Sequence, residues 1–146
     1  MLGKIFRERA AKAKASASRI ENRDLMEALV GGALLIAAAD GSIDDKELEQ
    51  LDKTLMANEK MRHFGPELHK TLEKFHSTLD ASFRMGKIKI LREIRDINAS
   101  EDDIEEVFAT MVDVAEADGE IDAKEEAMLK EIGRELGVNL KDFGLA

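Results

Sequence analysis

The sequence predicts an all-α protein: a compact bundle of six to seven helices built around two helix–acidic turn–helix repeats related by a pseudo-twofold axis. Three observations predict it. Apolar residues recur at three- and four-residue spacing, as in Leu68, Leu72, Phe75 and Leu79, the period of a helix with one buried face. No stretch of useful length alternates with period two, and Gly137-Val138-Asn139-Leu140 is too short to count as a strand. Finally, AADGSIDDKELEQL at residues 38–51 returns as EADGEIDAKEEAML at 116–129, displaced by 78 positions.

Composition supports the helical reading. The 146 residues are 44% apolar and 36% charged, with one proline, six phenylalanines and no Trp or Tyr. The core must therefore be built from Leu, Ile, Val, Met and Ala, which suits close-packed helices. Cysteine is absent, which excludes disulfides, thiolate metal sites and thiol redox chemistry.

In chain order, residues 1–20 form a basic N-terminal helix or arm. Lys4, Arg7, Arg9, Lys12, Lys14 and Arg19 face only Glu8, a net +5. Leu2, Ile5 and Phe6 supply a small apolar patch that suits a loose terminal helix, a partner-docking element or contact with a membrane surface. Residues 21–146 are expected to form one helical domain containing the repeats 22–57 and 100–136. With −9 overall, this body carries −14, which argues against nucleic acid as a partner and favours cations or basic protein surfaces.

Asn22 is the expected N-cap of a first helix reaching about Ala39. From Leu25 onward that helix is almost wholly apolar, so it should be central, with Gly31 and Gly32 marking close helix contact. After the Asp40–Gly41 turn, Asp44 and Glu47 form a capping box for a second helix, whose buried stripe is Leu48, Leu51 and Leu55. Residues 58–65 connect to a helix opening at Pro66. A helix over Phe83–Ile97 follows, and this middle pair is expected to be flanked by the repeats. Ser100 and Asp103 begin the second repeat in capping-box fashion. Asp122 and Glu125 repeat the second capping box, and the last long helix ends at Leu136 before Gly137. Phe143 and Leu145 are expected to tuck back onto the body.

In the second copy Asp118, Gly119, Ile121, Asp122, Glu125 and Leu129 take the places of Asp40, Gly41, Ile43, Asp44, Glu47 and Leu51. Asp-Gly-x-Ile-Asp-x-x-Glu matches the second half of an EF-hand loop. With Gly41 at position 6, Asp40, Asp44 and Glu47 fall at 5, 9 and 12. Positions 1 and 3, which should bring ligands, hold Ile36 and Ala38, and in the second copy Val114 and Glu116. Neither turn is a complete calcium loop.

Three readings stay open. Gly41 and Gly119 can end helices in the left-handed conformation, Asp44–Glu47 and Asp122–Glu125 can be caps, and Ile43 and Ile121 can be staples. Asp40 and Asp118 fit this less well, because a carboxylate at a helix C-terminus meets the negative end of the dipole, although an Asx-type turn would offset the cost. Alternatively, Asp40, Asp44, Glu47, Asp118, Asp122 and Glu125 bind a hard divalent cation, whose charge relieves their repulsion. The third reading is an acidic docking face.

Other chemistry is scarce. His69 and His76 lie on one helix face but about 10 Å apart along the axis, too far to share a zinc ion, and no His-Glu-x-x-His occurs. Neither a nucleophile elbow nor a phosphate loop is present. The run Glu101–Asp103 followed by Glu105 and Glu106 reads as a solvated first turn.

At its paired AADGSIDDKE and EADGEIDAKE motifs the chain resembles the tellurite-resistance TerB family. The resemblance extends to the basic N-terminal segment, the GG-x-LLIAAADG helix, the Gly65-Pro66 midsection and the ending ELGVNLKDFGL. It implies a cytoplasmic, all-helical, internally duplicated, non-enzymatic accessory protein for tellurite or stress resistance. It also implies a divalent cation, Ca2+ foremost, at the six acidic positions named above. As partners it implies other tellurite-resistance proteins such as the TerC or TerD type, with peripheral membrane contact through residues 1–20.

Overall fold

A computed structural model describes Ile20, residues 22–117 and residues 119–145. Within them lie six α-helices, two short 3-10 turns and no strand. The helices are α1 (Arg23–Ala37), α2 (Asp45–Ala57), α3 (Pro66–Ala81), α4 (Phe83–Arg95), α5 (Glu101–Glu116) and α6 (Ala123–Leu136).

Most helix starts follow from a side chain that accepts a hydrogen bond from an otherwise unpaired amide of the first turn. Asn22 Oδ1 accepts from Asp24 N at 2.8 Å, Ser82 Oγ from Met85 N at 3.2 Å and Ser100 Oγ from Asp103 N at 3.2 Å. Pro66 opens α3, where its missing N–H costs nothing. At Ser100 only the first half of the expected box forms, because Asp103 is one methylene shorter than the glutamates at Glu47 and Glu125. Gly137 closes α6 in the left-handed conformation. Helices α1 and α4 stop two residues short of their apolar patterns, at Ala37 and Arg95.

Helix α1 is the hub. It packs against α5 most extensively, and also against α2, α3, α4 and α6. This agrees with the expectation that the apolar first helix is central, and differs from the expectation that the repeats flank a central middle pair. The α3–α4 hairpin instead leans on one side of α1, because α1 alone is apolar on nearly every face, with Leu25, Met26 and all residues from Ala28 to Ile36 buried. Close approach uses the glycines. A Cβ on Gly31 would meet Ile90 and Phe75, and one on Gly32 would meet Met111. In α2, Leu51 and Leu55 are buried and Leu48 is partly so.

The C-terminal segment returns as expected. Phe143 and Leu145 are 0% and 1% exposed. Phe143 meets Phe108 edge to face, with centroids 4.8 Å apart and planes at 81°, an arrangement favoured by the ring quadrupoles. Residues 1–19, where the basic arm was expected, lie outside the described residues.

Candidate functional site

The two acidic turns adopt one local geometry. Asp44 Oδ1 accepts from Glu47 N at 2.8 Å while Glu47 Oε1 accepts from Asp44 N at 3.1 Å. The second copy repeats this, with Asp122 Oδ1 accepting from Glu125 N at 2.8 Å and Glu125 Oε1 from Asp122 N at 3.0 Å. The preceding helix ends match as well. Gly41 N donates to Ala38 O at 2.9 Å, and Gly119 N donates to Glu116 O at 3.0 Å. Gly41 and Gly119 have φ of 107° and 137°, values that a Cβ disfavours. That requirement accounts for the repeated glycine.

Asp40 is exposed, and its Oδ1 accepts from Ser42 N at 3.3 Å. This is the Asx-type contact that offsets its unfavourable place beyond the C-terminus of α1. Asp118 lies outside the described residues.

Glu47 and Glu125 come together on one surface feature. Both border a cleft of ≈ 250 Å³ between α1, α2, α5 and the start of α6. Its floor is apolar, made by Ile36 and Ala37 of α1, Leu51 of α2, and Val114 and Ala115 of α5, while Lys46, Gln50 and Thr54 join the glutamates around it. The other acidic positions go elsewhere. Asp44 and Asp122 are exposed caps outside the cleft lining. The first turn's Gly41, Ser42 and Ile43 border a separate hollow of ≈ 190 Å³ beside His76 and Asp80.

An all-carboxylate donor set suits a hard cation such as Ca2+ chemically. Among the described residues no three Asp, Glu or His side chains converge as an ion would need, and the capping boxes each commit one oxygen of Asp44, Glu47, Asp122 and Glu125 to backbone amides. The described carboxylates therefore do not assemble a coordination shell.

Two polar clusters escape the sequence reading. Lys60 Nζ pairs with Glu106 Oε1 inside the body, with side chains 8% and 9% exposed. The register of the repeat carries a signal for it. Glu106 falls at the position of Ala28, which is 2% exposed, so a carboxylate there is buried and needs a cation. The second cluster is His69, whose Nδ1 lies 2.8 Å from Asp52 Oδ2 and whose Nε2 lies 2.9 Å from Glu73 Oε1. Hydrogen bonding to the Asp52 carboxylate and its negative charge, with a smaller contribution from Glu73, raise the His69 pKa above its ordinary 6.5. Because each ring nitrogen already serves a carboxylate, the imidazole bridges the two acids instead of sharing an ion with them.

The fold and this surface define a class: an all-helical domain presenting two equivalent acidic turns and a shallow two-sided cleft. The chain matches the family described as Tellurite resistance protein TerB over residues 26–146 and belongs to that family. The family is a non-catalytic domain, and the chain is not an enzyme. No curated protein and no solved structure matches it. Among the described residues no helix is long and apolar enough to cross a membrane.

Proposed function

We propose that this chain is a cytoplasmic accessory protein of tellurite or stress resistance that works by docking a basic, partly apolar segment of a partner into the cleft bordered by Glu47 and Glu125. The observation that carries this reading is that the corresponding glutamate of each acidic turn borders the same apolar-floored cleft. The two repeats, 22–57 and 100–136, would then be related by a pseudo-twofold axis through the α1–α5 contact, with the duplication serving to build one surface from both copies. An apolar floor supplies affinity, and flanking carboxylates select basic partners and speed their encounter. Partners of the TerC or TerD type would hold the protein at the inner face of the membrane.

The test is binding of such a partner to the protein and to a Glu47→Lys/Glu125→Lys variant, over a salt series and with chelator. Binding that weakens with salt, ignores chelator and is lost in the variant supports docking. Binding that survives the double charge reversal overturns it.

A second reading is favoured by the repetition of Asp40 as Asp118, which capping alone does not require. Here a divalent cation, Ca2+ foremost, is taken by Asp40, Asp44 and Glu47 with Asp118, Asp122 and Glu125 after the caps rearrange. Calorimetric titration of chelator-stripped protein with Ca2+ and then Mg2+ tests it, alongside an Asp44→Asn/Asp122→Asn variant. Saturable binding lost in the variant would assign the ion to the turns. An absence of binding up to millimolar ion would remove the reading.

A further inference from the structure

We infer that the cleft bordered by Glu47 and Glu125 is a seat for the chain's own basic segment, residues 1–19, so that the protein covers its docking surface in cis until a partner displaces it. The inference rests on the reading of this cleft as a docking surface and adds its regulation.

Three observations lead to this occupant. The first is chemical fit. Leu2, Ile5 and Phe6 form an apolar patch in the segment, spaced to share one face of a helical turn, and Lys4 and Arg7 flank them. The cleft offers an apolar floor including Ile36, Leu51 and Val114, with a glutamate from each turn and one cation, Lys46, beside it. A volume of ≈ 250 Å³ accommodates one or two large side chains, which is what the Leu2–Phe6 patch would insert.

The second observation is charge. Residues 1–20 carry +5 and the remainder carries −14, so the segment is attracted to the body over about one Debye length of ~8–10 Å. The third is reach. The segment joins the described body at Ile20, which is 4% exposed and donates its N–H to Lys60 O at 3.0 Å. Ile20 lies just ahead of α1, and the cleft floor includes Ile36 and Ala37 at the other end of that helix. Helix α1 is about 22 Å long at 1.5 Å per residue. The fourteen steps from Phe6 to Ile20 span about 21 Å as a helix and about 46 Å extended, so the patch reaches the cleft once part of the link is extended.

A competing seat is the notch of ≈ 230 Å³ bordered by Asp24, Glu27, Glu93 and Asp96. It offers more negative charge, but its apolar lining is limited to Ala28 and Ile97, against Ala33, Ile36, Ala37, Leu51, Val114 and Ala115 in the cleft, so the apolar residues decide between the two.

The test uses the full chain. Because the sequence contains no cysteine, Ala10→Cys gives a single attachment point for a nitroxide. Amide signal loss is then read by NMR in chelator-treated protein without any partner. We expect losses concentrated at Gln50, Thr54 and Ala115, abolished by Leu2→Glu/Phe6→Glu and reduced by Lys4→Glu/Arg7→Glu at low salt. An unchanged amide spectrum for residues 58–100 verifies the fold of these variants. Losses centred on Asp24 and Glu93, or no localised loss, would overturn the inference. So would losses that appear only between molecules, read by mixing isotope-labelled untagged protein with unlabelled tagged protein. Failure of a partner to bind would not alter these readouts, so the two proposals fail separately.

Discussion

Lys60 Nζ and Glu106 Oε1 form an ion pair that joins the α2–α3 connection to the first half of α5, across 46 residues of sequence and almost out of contact with water. Ile20 donates to the Lys60 carbonyl, so the same residue anchors the point where the N-terminal segment meets the body. Removing Lys60 takes the cation away from the Glu106 carboxylate in a poorly solvated site. Lys60→Met is therefore expected to cost ~3–5 kcal/mol, measured by denaturant unfolding. The Lys60→Met/Glu106→Leu double variant should cost clearly less than the two single losses combined.

The two capping boxes make a paired prediction. Asp44→Ala and Asp122→Ala should each cost ~1 kcal/mol, additively, because each removes an acceptor for an orphan amide on a separate helix. Asn caps almost as well as Asp, so Asp44→Asn and Asp122→Asn should be nearly neutral in stability. This makes the Asn variants clean probes in the ion titration: any lost ion response reflects lost charge and not a lost cap.

Gly86→Ala should destabilise although alanine is the better helix former. The added Cβ would sit 2.8 Å from Leu79 Cα and 2.9 Å from Leu79 N, backbone atoms that cannot move aside without parting α3 from α4. Overpacking of this kind costs ~1–3 kcal/mol against the ~1 kcal/mol of helix propensity recovered. At Gly32 the obstruction is the flexible end of Met111, which can adopt another rotamer. Chemical denaturation should therefore rank Gly86→Ala below Gly32→Ala.

His69 predicts a pH dependence. Its pKa is raised in the folded state, foremost by its hydrogen bond to Asp52 and then by that residue's charge. A raised pKa means that the folded protein holds the proton more tightly than the unfolded chain. The resulting stabilisation is fully present below the unfolded value of about 6.5 and is lost as pH rises through the higher folded value. The imidazole is half exposed, so the effect on stability is small and best followed as an NMR titration of the ring. Asp52→Asn should lower the His69 midpoint and flatten the stability curve above pH ~6.5.

The helices were legible in the sequence because the signals that make them are local. Asn22, Asp44, Pro66, Ser100 and Asp122 begin helices by reaching amides within three residues or by lacking one. The three- and four-residue spacing of Leu68, Leu72, Phe75 and Leu79 marks the buried face of α3. The repeat was legible as well, since identical requirements at Gly41 and Gly119 select the same residue in both turns.

Most candidate acidic residues were recognisable by type, but their grouping was not. Of the described residues, Glu47 and Glu125 border one cleft while Asp40, Asp44 and Asp122 do not. Which carboxylates share a surface depends on how α1, α2, α5 and α6 pack. That information resides in pairs of residues far apart in the chain.

By itself the sequence determined the helical class, the helix starts, the duplicated acidic turn, the basic segment ahead of an acidic body, and the family. Tertiary structure alone decided which helices surround α1, that Lys60 finds Glu106, that His69 bridges Asp52 and Glu73, and that Glu47 and Glu125 flank one cleft. The physical reason is the range of the interactions. Capping and helical periodicity act within about one turn of chain, whereas burial and ion pairing depend on which distant helix faces are brought together to exclude water.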